Sequence, residues 1–203
     1  MREQGLRAKQ ARTFRGCTTD SKHDHPVAPN LLGRNFTVHA RSQAVVGDIT
    51  YLPTKQGWVY LAVLIDLFSR RVIGWAIDDT MRTELCLTAL HRARMSRPDL
   101  HGAVHHTDRG VQYTSTAYQA ALRQTGMVTS MSRKGNCWDN AVAESFFGTL
   151  KQELMPERPW ADLQAARKAV STYIHHYYNP VRRHSTLDYL SPVEFENHHQ
   201  QAA

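Results

Sequence analysis

Three carboxylates in this chain stand in settings where an acid is expensive unless it does something. Asp108 and Glu144 have 35 residues between them, and Asp48 lies upstream in a run rich in β-formers. Lys151 follows Glu144 by two helical turns. Hard divalent ions take oxygen ligands and keep several waters, so converging carboxylates suit Mg²⁺ or Mn²⁺. Two such ions about 3.5–4 Å apart activate a nucleophile and stabilise the leaving oxygen at a phosphodiester. The expectation is two ions per site, with Asp48 bridging both and Asp108 and Glu144 each completing one. Lys151 would hold a phosphate beside them as a point charge. The chain has a formal net charge of +7, and nucleic acid is the polyanion that fits it.

Other acids compete. Asp66, Asp78, Asp79 and Asp139 have comparable surroundings in the sequence, and spacing alone does not set the chosen three apart. Asp66 closes an apolar run and reads as the end of a strand. Asp139 or Asn140 reads as the cap of the helix that carries Glu144.

The elements that must position these groups follow from periodicity. Val45–Leu52, Trp58–Ile65 and Arg71–Ile77 read as three strands with short turns, an antiparallel meander. The second is apolar throughout, as in a strand buried on both faces. Asp48 lies mid-strand on the face shared by Val46 and Thr50, where a carboxylate is costly unless paired or metal-bound. A helix over Thr80–Met95, a strand over Ala103–His106, a helix over Ser115–Arg123 and a strand over Met127–Met131 follow. Asp108 falls just past the end of the fourth strand, the usual place for a site in an α/β sheet. A helix ending near Leu154 carries Asn140, Glu144 and Lys151 along one side. Another spans Trp160–Tyr178 and stops at Asn179-Pro180. The order predicts an α/β fold with a mixed five-stranded sheet flanked by helices, as in a ribonuclease H-like domain. A generic α/β layer fits the same order.

Composition narrows the class. The chain has 203 residues, 41% hydrophobic and 21% charged, enough for one sizeable core. The longest apolar run, Trp58–Ile65, is too short to span a bilayer, and the basic N-terminal residues lack the apolar centre of a signal peptide. A cytoplasmic, nucleoid-associated protein with no membrane partner is the expectation. Three cysteines without a CxxC pair give neither a disulfide framework nor a zinc cage. Residues 1–41 hold eight Lys/Arg against three acids, which is five of the seven net charges. The division expected is a basic arm and linker over 1–40, with a short basic helix between Gly5 and Gly16, a core with a C-terminal helix over 41–196, and a tail over 197–203.

Longer motifs carry a resemblance. WVYLAVLIDLFSRRVIGWAI, HTDRGVQYTS, SRKGNCWDNAVAESFFGTLKQE and YNPVRRHSTLDYLSPVEFE occur in this order. Together they resemble the integrase-core DDE transposases of bacterial insertion sequences, of the second-reading-frame type in the insertion-sequence family numbered three. The resemblance implies Asp48 in DIT, Asp108 in HTD and Glu144 in NAVAE as the catalytic and metal-binding set, with Lys151 as the basic residue seven positions on. It brings in Asn140, His106, Tyr178, Asn179 and His184 as supporting residues. Arg133, Lys134, Arg182 and Arg183 are expected to contact DNA on charge and position. The implied activity is metal-dependent cleavage and strand transfer of element ends into target DNA. The implied partners are DNA, further copies of the chain, and a first-reading-frame protein or fusion with the helix-turn-helix region that family members carry upstream.

Two other activities are open at this stage. A DNA-binding or regulatory remnant without transposition would bind DNA with steep salt dependence and never nick it. Covalent recombination through Tyr177, Tyr178 or Tyr189, beside Arg182-Arg183-His184, would leave a protein–DNA adduct.

Overall fold

The computed structural model describes residues 24–133 and 137–201. Six of the eight arm cations, the helix expected between Gly5 and Gly16, and Lys134 lie outside the described residues.

Strand β1 (Ala44–Thr54) turns through Lys55-Gln56 into β2 (Gly57–Asp66), which turns into β3 (Val72–Asp78). β1–β2 and β2–β3 are antiparallel, as the short turns require. Helix α1 (Thr83–Ser96) then crosses to β4 (Val104–Thr107), parallel to β1. A single helical turn, α2 (Val111–Thr114), and α3 (Thr116–Gln124) lead to β5 (Val128–Met131), parallel to β4. The sheet runs β3-β2-β1-β4-β5, so the strand bearing Asp48 is central. A 3₁₀ turn (Cys137–Asn140) opens α4 (Ala141–Leu154), and α5 (Leu163–Thr172) continues as one π-helical segment (Tyr173–Tyr178). The expected Trp160–Tyr178 helix starts later because Asp162 caps it, accepting from the Ala165 amide at 2.8 Å. The chain ends in α6 (Pro192–Gln201). That helix takes in residues 197–201 of the expected tail, and 202–203 lie outside the described residues.

Strand alternation builds two cores. One face of the sheet sends Val46, Leu61, Val63 and Ile65 against Phe146, Phe147 and Leu150 of α4 and Val170 of α5. The other sends Val45, Ile49, Ala62 and Leu64 against Leu85, Cys86 and Leu90 of α1 and Leu122 of α3. Burial on both faces explains why β2 lacks polar alternation. At Gly74 the β3 backbone meets α1 so closely that an added Cβ would lie 2.7 Å from the Ala93 nitrogen.

The residues read as a free linker are partly built into the domain. Pro29 O accepts from the Met131 amide at 3.3 Å, and the Leu31 amide donates to Ser130 Oγ at 2.9 Å. Leu32, Phe36 and Val38 pack on the α4-side core. The segment is irregular, as its prolines predict, yet it covers the outer edge of β5.

Candidate active site

Register brings the first two carboxylates together. The parallel β1–β4 pairing ends at Val46 opposite His106. Two residues further along each chain stand Asp48 and Asp108, on the same side by the alternation of side chains. Helix α4 packs across β1 and supplies the third group. Asn140 Nδ2 donates to Gly47 O at 3.4 Å, which fixes the start of α4 against the strand next to Asp48. Glu144 follows one turn later, on an exposed position of the helix.

Electrostatics show the convergence. Burial first, then the charge of Asp108, then that of Glu144, push the Asp48 carboxyl well above the usual carboxylate range. The Ile49 amide, which donates to Asp48 Oδ1 at 2.8 Å, and Asn140 offset part of this. Glu144 is raised by its own burial. Lys151 is lowered by burial, with the charge of Asp48 opposing that shift, so the ammonium senses the site. Its Nζ lies 4.7 Å from the Tyr51 ring centroid, a cation–π contact that holds it over β1. Asp108 Oδ1 accepts from the Gly110 amide at 2.9 Å, the turn that starts α2.

Asp48, raised by the charges of Asp108 and Glu144, makes with them a set of oxygen donors that favours positive charge. All their donors are oxygens, which suits a hard divalent cation. Asn140 Oδ1, beside them, is buried with no hydrogen-bond partner. Among the described residues no three His, Cys, Asp or Glu side chains stand close enough together to hold a metal ion, and the three carboxylates are linked through their charges on Asp48.

The remaining residues singled out from the sequence fall into places of their own. His106 is fully buried and ties β4 to β5 and to the chain just after it, with Nδ1 2.8 Å from Ser130 Oγ and Nε2 3.1 Å from Ser132 Oγ. Burial lowers its pKa, so it is a neutral brace under Asp108. Arg133 is engaged with Asp139, donating from its amide, Nε and Nη2 at 2.9, 3.0 and 2.9 Å. Arg182 donates to both oxygens of Glu153. Arg183 is exposed. Tyr178 is buried, with its hydroxyl donating to Arg70 O at 3.2 Å, which leaves it unsuited to attack a phosphate. His184 packs edge-on against Tyr178, and burial with the charge of Arg182 holds its pKa down to about 4. Asn179 works as a strand mimic. Its side chain accepts from the Val72 amide and donates to Val72 O, both at 3.0 Å. Asn179 thus anchors the C-terminal segment to β3, and His184 packs back on Tyr178.

Two acids act differently from the sequence reading, or beyond it. Asp139 makes no cap, because α4 has none from a side chain. Its carboxylate is fully buried and accepts from Asn30, Arg34 and Arg133, which draws it into an ion cluster. The Arg133 hydrogen bonds, above all, hold its pKa well below the usual carboxylate range. Glu196, within the closing motif, is a second buried hub that accepts from Ser69, Arg71 and Arg97. Asp66 behaves as expected, closing the turn by accepting from the amides of Ser42 and Phe68.

Comparison with known proteins identifies the family and the fold. Two integrase core domain family models match residues 38–137 and 125–192. The chain is 44% identical over 203 residues to the insertion element IS600 uncharacterized 31 kDa protein of Shigella sonnei, covering 100% of this chain and 74% of that one. It is 45% identical over 197 residues to the transposase InsF for insertion sequence IS3A of Escherichia coli, covering 97% and 68%. Among solved structures, the simian T-cell lymphotropic virus intasome in complex with PP2A regulatory subunit B56 gamma aligns with a TM-score of 0.64 at 20% identity. That alignment covers 88% of this chain and 60% of the viral chain. The HTLV-2 integrase catalytic core domain in complex with magnesium aligns at 0.58 and 19% identity, covering 79% and 99%. Both share the ribonuclease H-like fold.

Proposed function

The chain belongs to the integrase-core transposases of bacterial insertion sequences, and from that premise we propose that Asp48, Asp108 and Glu144 form the site of metal-dependent DNA cleavage and strand transfer. The observation that carries this reading is their approach from three elements, the middle of β1, the end of the parallel β4 and one crossing helix, with Asp48 raised by both others. These three residues would hold the divalent cations, Mg²⁺ or Mn²⁺, two per site. When bound, the cations supply a polarised phosphate and a more acidic nucleophilic water or hydroxyl.

The protein's own groups do the rest. Lys151, held over Tyr51, binds a phosphate oxygen next to the carboxylates. His106 and Asn140 keep the β4 end and the α4 start in register, so that the carboxylates stay aligned. In the first step the oxygen of water forms a bond to phosphorus at the element end. The P–O3′ bond breaks, leaving a 3′-OH and a 5′-phosphate. In the second, that 3′-OH forms the new P–O bond at a target phosphodiester, and the target's own 3′ oxygen departs with a proton. The phosphoester count is conserved in the second step, so no external energy source is needed. Exposed Arg183 adds charge at the C-terminal side. The setting is the bacterial cytoplasm at the nucleoid, with copies of the chain bringing two element ends together. A first-reading-frame helix-turn-helix protein or fusion would supply end recognition.

The test is single-turnover cleavage of a duplex bearing the element's terminal sequence, in Mg²⁺. Asp48→Asn, Asp108→Asn and Glu144→Gln should each lower the rate by roughly a thousandfold or more, as loss of metal-held charge stabilisation does. The same variants should retain DNA affinity. Cleavage at the wild-type rate in any of the three would remove that residue from the site. A protein–DNA adduct surviving denaturation would replace the mechanism altogether.

A further inference from the structure

A groove of about 640 Å³ runs along the outer edge of β3, between α1 and the α5 helix with its π-helical end. Its walls carry Arg71, Arg92, Arg167 and Lys168, and no Asp or Glu is among the described residues that line it. Little of this charge is offset by acids, because the hydrogen-bond partners are mostly neutral carbonyls. Arg92 donates to Trp75 O at 2.8 Å and Arg167 to Ile77 O at 3.1 Å. Arg71 pairs with Glu196, but Arg97 shares that carboxylate, so this cluster also stays positive. Lys168 projects from an exposed position of α5.

Three kinds of occupant can be compared. A strand added to the edge would need free backbone groups. Here Ser96, Arg92 and Arg167 take the carbonyls of Ile73, Trp75 and Ile77, and Asn179 takes both groups of Val72. A second copy docking through the same face would set arginine against arginine. A polyanion meets neither obstacle, and a concave basic wall concentrates its field. The groove is also close to the carboxylates. Asp48 pairs with Val63, and Val63 with Trp75, so the edge lies two strand spacings away, roughly 10 Å.

We propose that the β3-edge groove binds the phosphate backbone of DNA, as a second contact surface distinct from Lys151. This rests on the DNA-processing reading above and extends it to a face of the domain that the catalytic carboxylates do not use. Contacts of this kind carry charge and little sequence information.

Fluorescence anisotropy with a labelled duplex of arbitrary sequence, titrated at several KCl concentrations, decides it. The double variant Lys168→Glu with Arg167→Gln should weaken binding about tenfold or more and reduce the slope of log K against log salt by about 2. Arg123→Glu, an exposed charge reversal on α3 at the opposite side of the sheet, should leave the slope at its wild-type value. Circular dichroism on the same samples checks folding, and Lys168→Glu alone, which breaks no hydrogen bond to the edge strand, should still weaken binding several-fold. Wild-type slope and affinity in both groove variants would overturn the groove assignment while DNA processing stands. A change of sedimentation rather than of DNA affinity would make the groove a contact between copies. Absence of DNA binding by the wild-type chain would overturn the underlying reading with it.

Discussion

Asp48 is the residue on which the others depend. Its carboxyl is raised by burial and by Asp108 and Glu144, so ionising it costs folding free energy in the absence of metal. A carboxyl raised in the folded state contributes stability that is full below its unfolded pKa and is lost as pH rises through the folded value. Metal-free wild type should therefore lose stability relative to Asp48→Asn as pH rises from 4 to 8, with the variant melting at the higher temperature by pH 8. Thermal denaturation followed by circular dichroism across that range measures the gap, and a gap independent of pH would contradict the assignment. Asp139 behaves in the opposite sense. The Arg133 hydrogen bonds lower its pKa, so its contribution is present at neutral pH and fades only as acid protonates it. Because it stands one residue before Asn140, Asp139→Asn should loosen the start of α4 and lower the cleavage rate by roughly tenfold to a hundredfold. Single-turnover rates at saturating DNA isolate that effect, and Asp139→Glu should recover part of the loss.

At the scale of elements, the proposed site is a junction of β1, the end of β4 and the first turn of α4. The alternation of apolar residues made the strands and most helices legible, and the motif DIT on a central strand pointed to Asp48 directly. The register that sets Asp48 beside Asp108 was not legible, because parallel pairing is decided by packing between segments far apart in the chain. The roles of Asp139 and Glu196 were hidden for the same reason. Each collects partners from distant segments, and nothing local marks a buried carboxylate that will find arginines. The packing of residues 28–38 escaped because Ala28, Pro29 and Leu31 meet β5 through backbone groups, while Leu32, Phe36 and Val38 reach the α4-side core from an irregular segment that leaves no periodic pattern. The C-terminal motif reads as chemistry in the sequence and serves as architecture in the fold. Asn179 and Glu196 clamp the last segment to β3 and to the end of α1. Glu196→Ala should cost about 3–5 kcal/mol, the usual cost of leaving a buried ion pair half-made. Asn179→Ala should cost about 2 kcal/mol by stranding two backbone groups of Val72. Urea unfolding measures both, and a loss below about 1 kcal/mol for Glu196→Ala would deny it the role of clamp.

For the whole molecule, the sheet separates tasks. Its middle holds the carboxylates, its β5 edge is covered by the segment entering the domain, and its β3 edge is a basic groove. No helix of the described residues is long and apolar enough to cross a membrane. A cluster of carboxylates in the middle and a basic edge are what the proposed grip on a polyanion at two places requires. Asp48, Asp108 and Glu144 are proposed to act as one cation site, and calorimetric titration of Mn²⁺ into the DNA-bound protein tests that most directly. Wild type should take up two ions, and Asp48→Asn, Asp108→Asn or Glu144→Gln should each weaken uptake by roughly tenfold or more. Mn²⁺ uptake unchanged in any one of these variants would contradict the three-carboxylate site.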